Sequence, residues 1–164
     1  MNKRLKTLLT AAIFAALEFV VTYLVSFPVP VIQGAYVNAG DVVLYLGAAL
    51  LGGLWQALAA GIGSMLADLM LGSAVYAIPT LLIKTAMAFV CAWIYRKKSD
   101  AVGFLLACLA GGACMVAGYF VFECFLVGAA AALLSVPMNC LQWGCGLVLA
   151  LLLYYPLRKI RKYA

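Results

Sequence analysis

Long apolar runs broken by isolated polar residues make up most of the chain. The runs are continuously apolar with small residues interspersed, not alternating at period two, so the elements they predict are helices and not outer-membrane strands. A basic start followed by an apolar run predicts a first helix over residues 7–26. Phe27, Pro28, Val29 and Pro30 end it, because two prolines this close do not continue a helix. An outer loop through Gln33 and Gly34 follows, long enough to fold back over the bundle as a lid. It leads into Tyr36-Val37-Asn38-Ala39-Gly40-Asp41, a polar cluster set directly against the next apolar run. The second helix is expected over 41–53, short for a span and therefore tilted or starting below the surface, with Gly52-Gly53 as the inner turn. A third is expected over 54–71 and a fourth over 79–95, opened by Pro79, whose missing N–H does no harm there. The fifth and sixth are expected over 101–127 and 137–155, separated by a loop or short helix from Gly128 to Ser135.

Composition decides the solvent for these helices. Of 164 residues 68% are hydrophobic and 10% charged, with a mean hydropathy of +1.15, whereas soluble domains are about half apolar. The chain is read as an all-α integral membrane protein. Its formal charge of +6 does not mark a nucleic-acid partner. The basic residues form three blocks flanking apolar segments: Lys3, Arg4 and Lys6; Arg96, Lys97 and Lys98; Arg158, Lys159, Arg161 and Lys162. If all three blocks are cytoplasmic, the number of spans between consecutive blocks is even. At about 20 residues per span the first interval takes four helices and the second two. The expectation is one transmembrane domain over 1–164, multi-pass in a bacterial or archaeal plasma membrane, with six transmembrane helices and both termini cytoplasmic. Lys84 alone among the basic residues is left over. Removal of the first helix as a signal peptide is not expected, since Glu18 interrupts it and no small-residue cleavage site follows.

The chemistry is sparse. There is no histidine, and the six cysteines show no Cys-x-x-Cys spacing, so they read as small hydrophobes. No catalytic residue, metal site or cofactor is expected. The topology instead places Asn38, Asp41, Asp68, Tyr76, Lys84, Glu123, Asn139 and Gln142 in the outer part of the molecule, while the inner halves of the helices are almost wholly apolar, an asymmetry that an outward-facing pocket explains. Lys84 and Glu123 are candidate ligand contacts or a structural pair. Asn139 and Gln142, one helical turn apart, share a face suited to the donor and acceptor edge of a heterocycle. Trp143, Tyr119 and Tyr76 are candidate stacking or contact residues. Tyr36, Asn38 and Asp41 read as lid and loop anchor, with Asn38 and Asp41 capping the second helix. Asp68 reads as a solvated helix end. Glu18 has no assigned place beyond facing a partner or a water-filled crevice. Ala11, Ala12, Ala15 and Ala16 form two small-xxx-small pairs that allow another helix to approach, inside the bundle or from a partner.

The alanine-rich first helix after a basic start, the Tyr36 to Asp41 stretch, Gly61-Ile62-Gly63-Ser64 to Asp68, Tyr76-Ala77-Ile78-Pro79 with Lys84, Tyr119-Phe120-Val121-Phe122-Glu123 and Pro137-Met138-Asn139-Cys140-Leu141-Gln142 occur in one order along the chain. In this the chain resembles the substrate-binding S components of energy-coupling factor (ECF) transporters, which import vitamins. The resemblance implies a six-helix bundle with an outward pocket built from the last three helices and the outer loops. It implies that Ala11, Ala12, Ala15 and Ala16 dock on a transmembrane coupling subunit driven by two cytoplasmic ATPases, this chain having no Walker motif of its own. The expected function is capture of a small, vitamin-like nutrient, with a compact polar heterocycle such as a hydroxymethylpyrimidine or a pyridoxine-like compound favoured and riboflavin, pantothenate and others left open. A self-sufficient transporter or channel is the alternative, and the apolar inner halves argue against it. A membrane enzyme lacks the residues for a nucleophile or metal site.

Overall fold

The computed structural model describes residues 2–29 and 32–163, with the side chains of Lys3 and of 160–163 outside the description. Pro30, and the side chains of Arg161 and Lys162, therefore lie outside the described residues. Six helices account for most of it: α1 (Lys3–Leu24), α2 (Gly40–Leu50), α3 (Gly53–Met70), α4 (Ala74–Lys97), α5 (Ala101–Val127) and α6 (Ala129–Tyr163). Between α1 and α2 the chain forms a hairpin of β1 (Ser26–Pro28) and β2 (Tyr36–Asn38), paired antiparallel with Phe27 opposite Val37. Pro28 is tolerated because in a two-stranded ribbon each strand has a free edge.

The helix α2 is the axis of the molecule. Ten of its residues, Gly40 to Ala49, are buried, and it touches all five other helices. A helix apolar all round belongs in a core, and at 11 residues it rises only about 16 Å. Around it α1 packs on α3, α3 on α4, α4 on α5 and α5 on α6, while α2 fills the gap between α1 and α6. The close approach of α3 to both neighbours rests on glycine. A Cβ at Gly61 would lie 2.6 Å from the Leu81 carbonyl oxygen on α4, and one at Gly63 2.5 Å from the Ala15 carbonyl oxygen on α1.

Among the described residues, four helices are long and apolar enough to cross a bilayer: Arg4–Leu24, Ala74–Lys97, Ala101–Val127 and Ala129–Lys159. The chain is a multi-pass membrane protein. One end of the bundle carries the hairpin. The other carries the inner turn, where Gly52 (φ +61°) and Gly53 (φ +78°) adopt the left-handed conformation, together with the described basic residues at the ends of α4 and α6.

Three elements differ from their sequence expectation. The fourth helix begins at Ala74, not Pro79, because Tyr76 and Ala77 are buried against the bundle and their packing outweighs the one hydrogen bond that Pro79 removes. The sixth begins at Ala129, with Pro137 inside it. Its first four residues are alanines, the best helix formers, and only Gly128 (φ +85°) separates it from α5. The outer loop is partly a β-hairpin, a pairing carried by backbone groups that no side-chain pattern announces.

Candidate functional site

The hairpin end encloses a polar pocket. From the hairpin come Val29, Gly34, Ala35, Tyr36 and Asn38; from α3 Asp68; from α4 Tyr76 and Thr80; from α5 Tyr119 and Glu123; from α6 Ser135, Asn139 and Gln142. Helical spacing explains why each helix contributes the residues it does. Tyr76 and Thr80 are four apart, as are Tyr119 and Glu123, while Ser135, Asn139 and Gln142 fall at i, i+4 and i+7 of one face. The cavity has a free volume of about 30 Å³, enough for a water molecule and far below the roughly 300 Å³ from which small-molecule sites run.

Hydroxyl groups serve the carboxylates. The Tyr36 hydroxyl donates to Asp68 Oδ1, which ties the hairpin to α3. Burial, with the Asp68 carboxylate beside it, pushes the Tyr36 hydroxyl well above its ordinary titration range, so it stays a donor at any physiological pH. Tyr76 donates to Glu123 Oε1 at 3.3 Å and Ser135 donates to Glu123 Oε2. Thr80 and Tyr119 share a hydrogen bond of 3.0 Å. The rings of Tyr76 and Tyr119 lie 6.5 Å apart, and Phe122 meets Tyr76 edge-on at 5.3 Å.

Beneath this pocket lies a second polar layer that does not line it. Lys84, 1% exposed, forms an ion pair with Asp41, which is wholly buried. Gln142 joins the two layers. Its Nε2 donates to Asp41 Oδ2 at 2.8 Å, and its Oε1 accepts from the backbone N–H of Asn38 at 2.8 Å. Met115 Sδ lies 3.3 Å from Lys84 Nζ. Glu18, 1% exposed, accepts from Ser64 at 3.0 Å across the α1–α3 contact. That contact places the residue which sequence left unassigned: it is a buried tie between helices.

Of the residues expected in the site, Tyr36, Asn38, Tyr76, Tyr119, Glu123, Asn139 and Gln142 come together at the pocket wall, and Lys84, Asp41 and Trp143 do not. Asp41 does not cap α2 with its side chain; its carboxylate turns inward to Lys84 and Gln142. Asn38 does serve the helix entry, its Oδ1 accepting from Gly40 N at 2.9 Å. Lys84 and Glu123 are not paired with each other. Asp68 is not a solvated end, being 2% exposed and in the pocket wall. Trp143 packs on Gly112, where a Cβ would lie 1.9 Å from its ring, and donates to the Cys108 carbonyl at 3.1 Å. It fastens α5 to α6. Two wall residues, Thr80 and Ser135, were not anticipated. Thr80 stands one turn from both Tyr76 and Lys84, and Ser135 one turn before Asn139, so the i, i+4 spacing was the available signal.

On α1 the four alanines divide. Ala11 is buried and Ala15 lies against Gly63, whereas Ala12 and Ala16 are exposed beside Leu9, Ile13, Leu17 and Val20.

The profile of the family described as "ECF-type riboflavin transporter, S component" matches residues 2–159. The chain is 33% identical over 149 residues to a protein named thiamine precursor transporter HmpT from Lactococcus lactis subsp. cremoris (strain MG1363), covering 91% of this chain and 86% of that protein. It is 34% identical over 140 residues to an uncharacterised protein of Pyrococcus woesei, covering 85% of this chain and 93% of that one.

Proposed function

The chain belongs to the family of ECF-type riboflavin transporter S components, and from that premise we propose that it is the substrate-specific subunit of an ECF-type ABC importer. It captures a small vitamin or vitamin precursor in the pocket under the hairpin and delivers it by docking on a transmembrane coupling subunit driven by two cytoplasmic ATPases. All six helices cross or enter the membrane, with both termini and the three basic blocks on the cytoplasmic side and the hairpin outside. The observation that carries this reading is the one-ended distribution of polar groups. Ten polar side chains from the hairpin and four helices converge on one pocket at the hairpin end, while the basic end holds the aromatic packing of Tyr95, Phe104 and Tyr154. A binding subunit needs one such mouth; a channel needs a polar path from end to end.

In this reading the hairpin is the lid. Tyr36 and Asn38 fasten it through Asp68 and Gln142, and both bonds give way when a ligand enters and reform over it. Lys84 and Asp41 act beneath the ligand, holding Gln142 so that its two ends serve the lid and the ion pair together. Ala12 and Ala16 present the outward-facing small residues on which a partner helix packs. The thiamine-precursor transport named for the Lactococcus relative favours a compact heterocycle.

Native mass spectrometry of the chain purified without added ligand tests the proposal. It is expected to show a bound molecule of vitamin size, released on denaturation, whose re-addition raises the melting temperature. A preparation that carries no small molecule and is stabilised by no vitamin or precursor contradicts it.

A further inference from the structure

We propose that Glu18 and Thr22 of α1, together with Asn38 of the hairpin, form a binding site for a small monovalent cation, sodium, at the entry of α2. The residue that calls for it is Glu18. Among the described residues the buried acids are Glu18, Asp41, Asp68 and Glu123, and the buried base is Lys84 alone. The Lys84 ammonium is taken by Asp41 and Met115. Glu18 accepts from Ser64 at Oε1 and has no hydrogen-bond partner at Oε2. A carboxylate taken out of water without a cation is costly, and an ionisable group at membrane depth faces a partner or a cavity.

Two glycines make room for this side chain. A Cβ at Gly63 would lie 2.7 Å from Glu18 Cβ, and one at Gly40 would lie 2.1 Å from Thr22 Oγ1, 2.7 Å from Glu18 Oε1 and 3.0 Å from Asn38 Oδ1. Three oxygens from α1 and the hairpin therefore gather around one point beside Gly40. Thr22 follows Glu18 by one helical turn and is 1% exposed. Its hydroxyl has no hydrogen-bond partner, although the Glu18 carboxylate stands beside it. Buried polar atoms are ordinarily paired, so two unpaired ones on adjacent turns call for a third body between them. A water molecule there would supply hydrogen bonds and leave the charge; a proton on Glu18 would remove the charge and leave Thr22 unpaired. A cation answers both. One carboxylate with neutral hydroxyl and amide oxygens is a hard donor set of single charge, unlike the several carboxylates that hold calcium or the nitrogen and sulfur ligands of zinc. Of these residues Asn38 alone also lines the pocket, so the site does not depend on which molecule the pocket takes.

The test is thermal unfolding of the purified full chain in detergent, in sodium chloride and in choline chloride at equal ionic strength, together with equilibrium binding of radioactive sodium. Sodium is expected to raise the melting temperature over choline by about 3 °C or more, saturating with concentration, and to bind as a single ion per chain. Glu18→Gln and Thr22→Val, which keep the side-chain volumes, are each expected to flatten the sodium response. Glu18→Gln also removes the buried charge and is expected to be no less stable than wild type in choline, a result that loss of a merely structural contact would not give. The wild-type comparison decides the matter even where a variant does not fold. Equal melting temperatures in the two salts overturn the proposal, as does a lack of saturable sodium binding. A melting temperature that follows pH and ignores the cation overturns it too, by putting a proton on Glu18 in place of the ion.

Discussion

At the scale of single residues, the polar side chains of this protein act in pairs, and membership in a pair decides each role. Lys84 has its Nζ against Asp41 and does not line the pocket. Removing one member of a buried pair strands the other, at about 3–5 kcal/mol. Lys84→Met is therefore expected to lower the melting temperature sharply, and Lys84→Met combined with Asp41→Asn to recover at least half of the loss. Thermal unfolding in detergent measures both, and additive losses would show that the two are not coupled. Glu123→Gln keeps the shape of the wall and is expected to weaken ligand binding tenfold or more, about 1.4 kcal/mol, with little change in melting temperature; unchanged affinity in a titration contradicts its place in the site. Lys84 stood out in the sequence as the basic residue outside every block, but its partner was not legible. Asp41 lies 43 positions away at the start of a helix, where a carboxylate ordinarily reads as a cap. Asp68 was hidden in the same way, as an acid at a helix end that tertiary packing buries.

At the scale of elements, the apolar runs found every helix, and the errors fall where backbone chemistry competes with a polar or small-residue signal. Prolines at 79 and 137 read as boundaries, yet both lie inside helices because Tyr76 on one side and the alanines from Ala129 on the other extend the helix ahead of them. Reading α6 from Ala129 would have placed Ser135 on the face of Asn139 and Gln142. Close approach of α3 to its neighbours was visible as small residues. Gly61→Val is expected to destabilise the bundle by about 1–3 kcal/mol, because its side chain would meet the Leu81 carbonyl and Thr85; a melting temperature within a degree of wild type would show that α3 and α4 separate freely. For the hairpin, Tyr36→Phe removes its bond to Asp68 and is expected to speed ligand release several-fold while leaving association nearly unchanged. Stopped-flow dissociation measures this, and an unaltered off-rate removes Tyr36 from the lid.

At the scale of the whole molecule, a buried central helix, a polar pocket at one end and a basic rim at the other give the bundle two unlike ends. The membrane class and the polarity of the two ends were legible from hydropathy and the lysine and arginine blocks. The central position of α2 was not, since a short apolar run has the same appearance whether it spans lipid or fills a core. On the proposed reading, the partner contact falls at Ala12 and Ala16, the exposed alanines of α1. Enlarging both to leucine is expected to abolish uptake while leaving ligand affinity at the wild-type value, because neither residue touches the pocket. The most direct test of the account is ligand uptake by proteoliposomes that hold this chain alone, compared with proteoliposomes that also hold an ECF coupling subunit and its ATPases. Ligand binding without accumulation is expected from the chain alone, and ATP-dependent accumulation once the coupling proteins are present. Accumulation by the chain alone would contradict it.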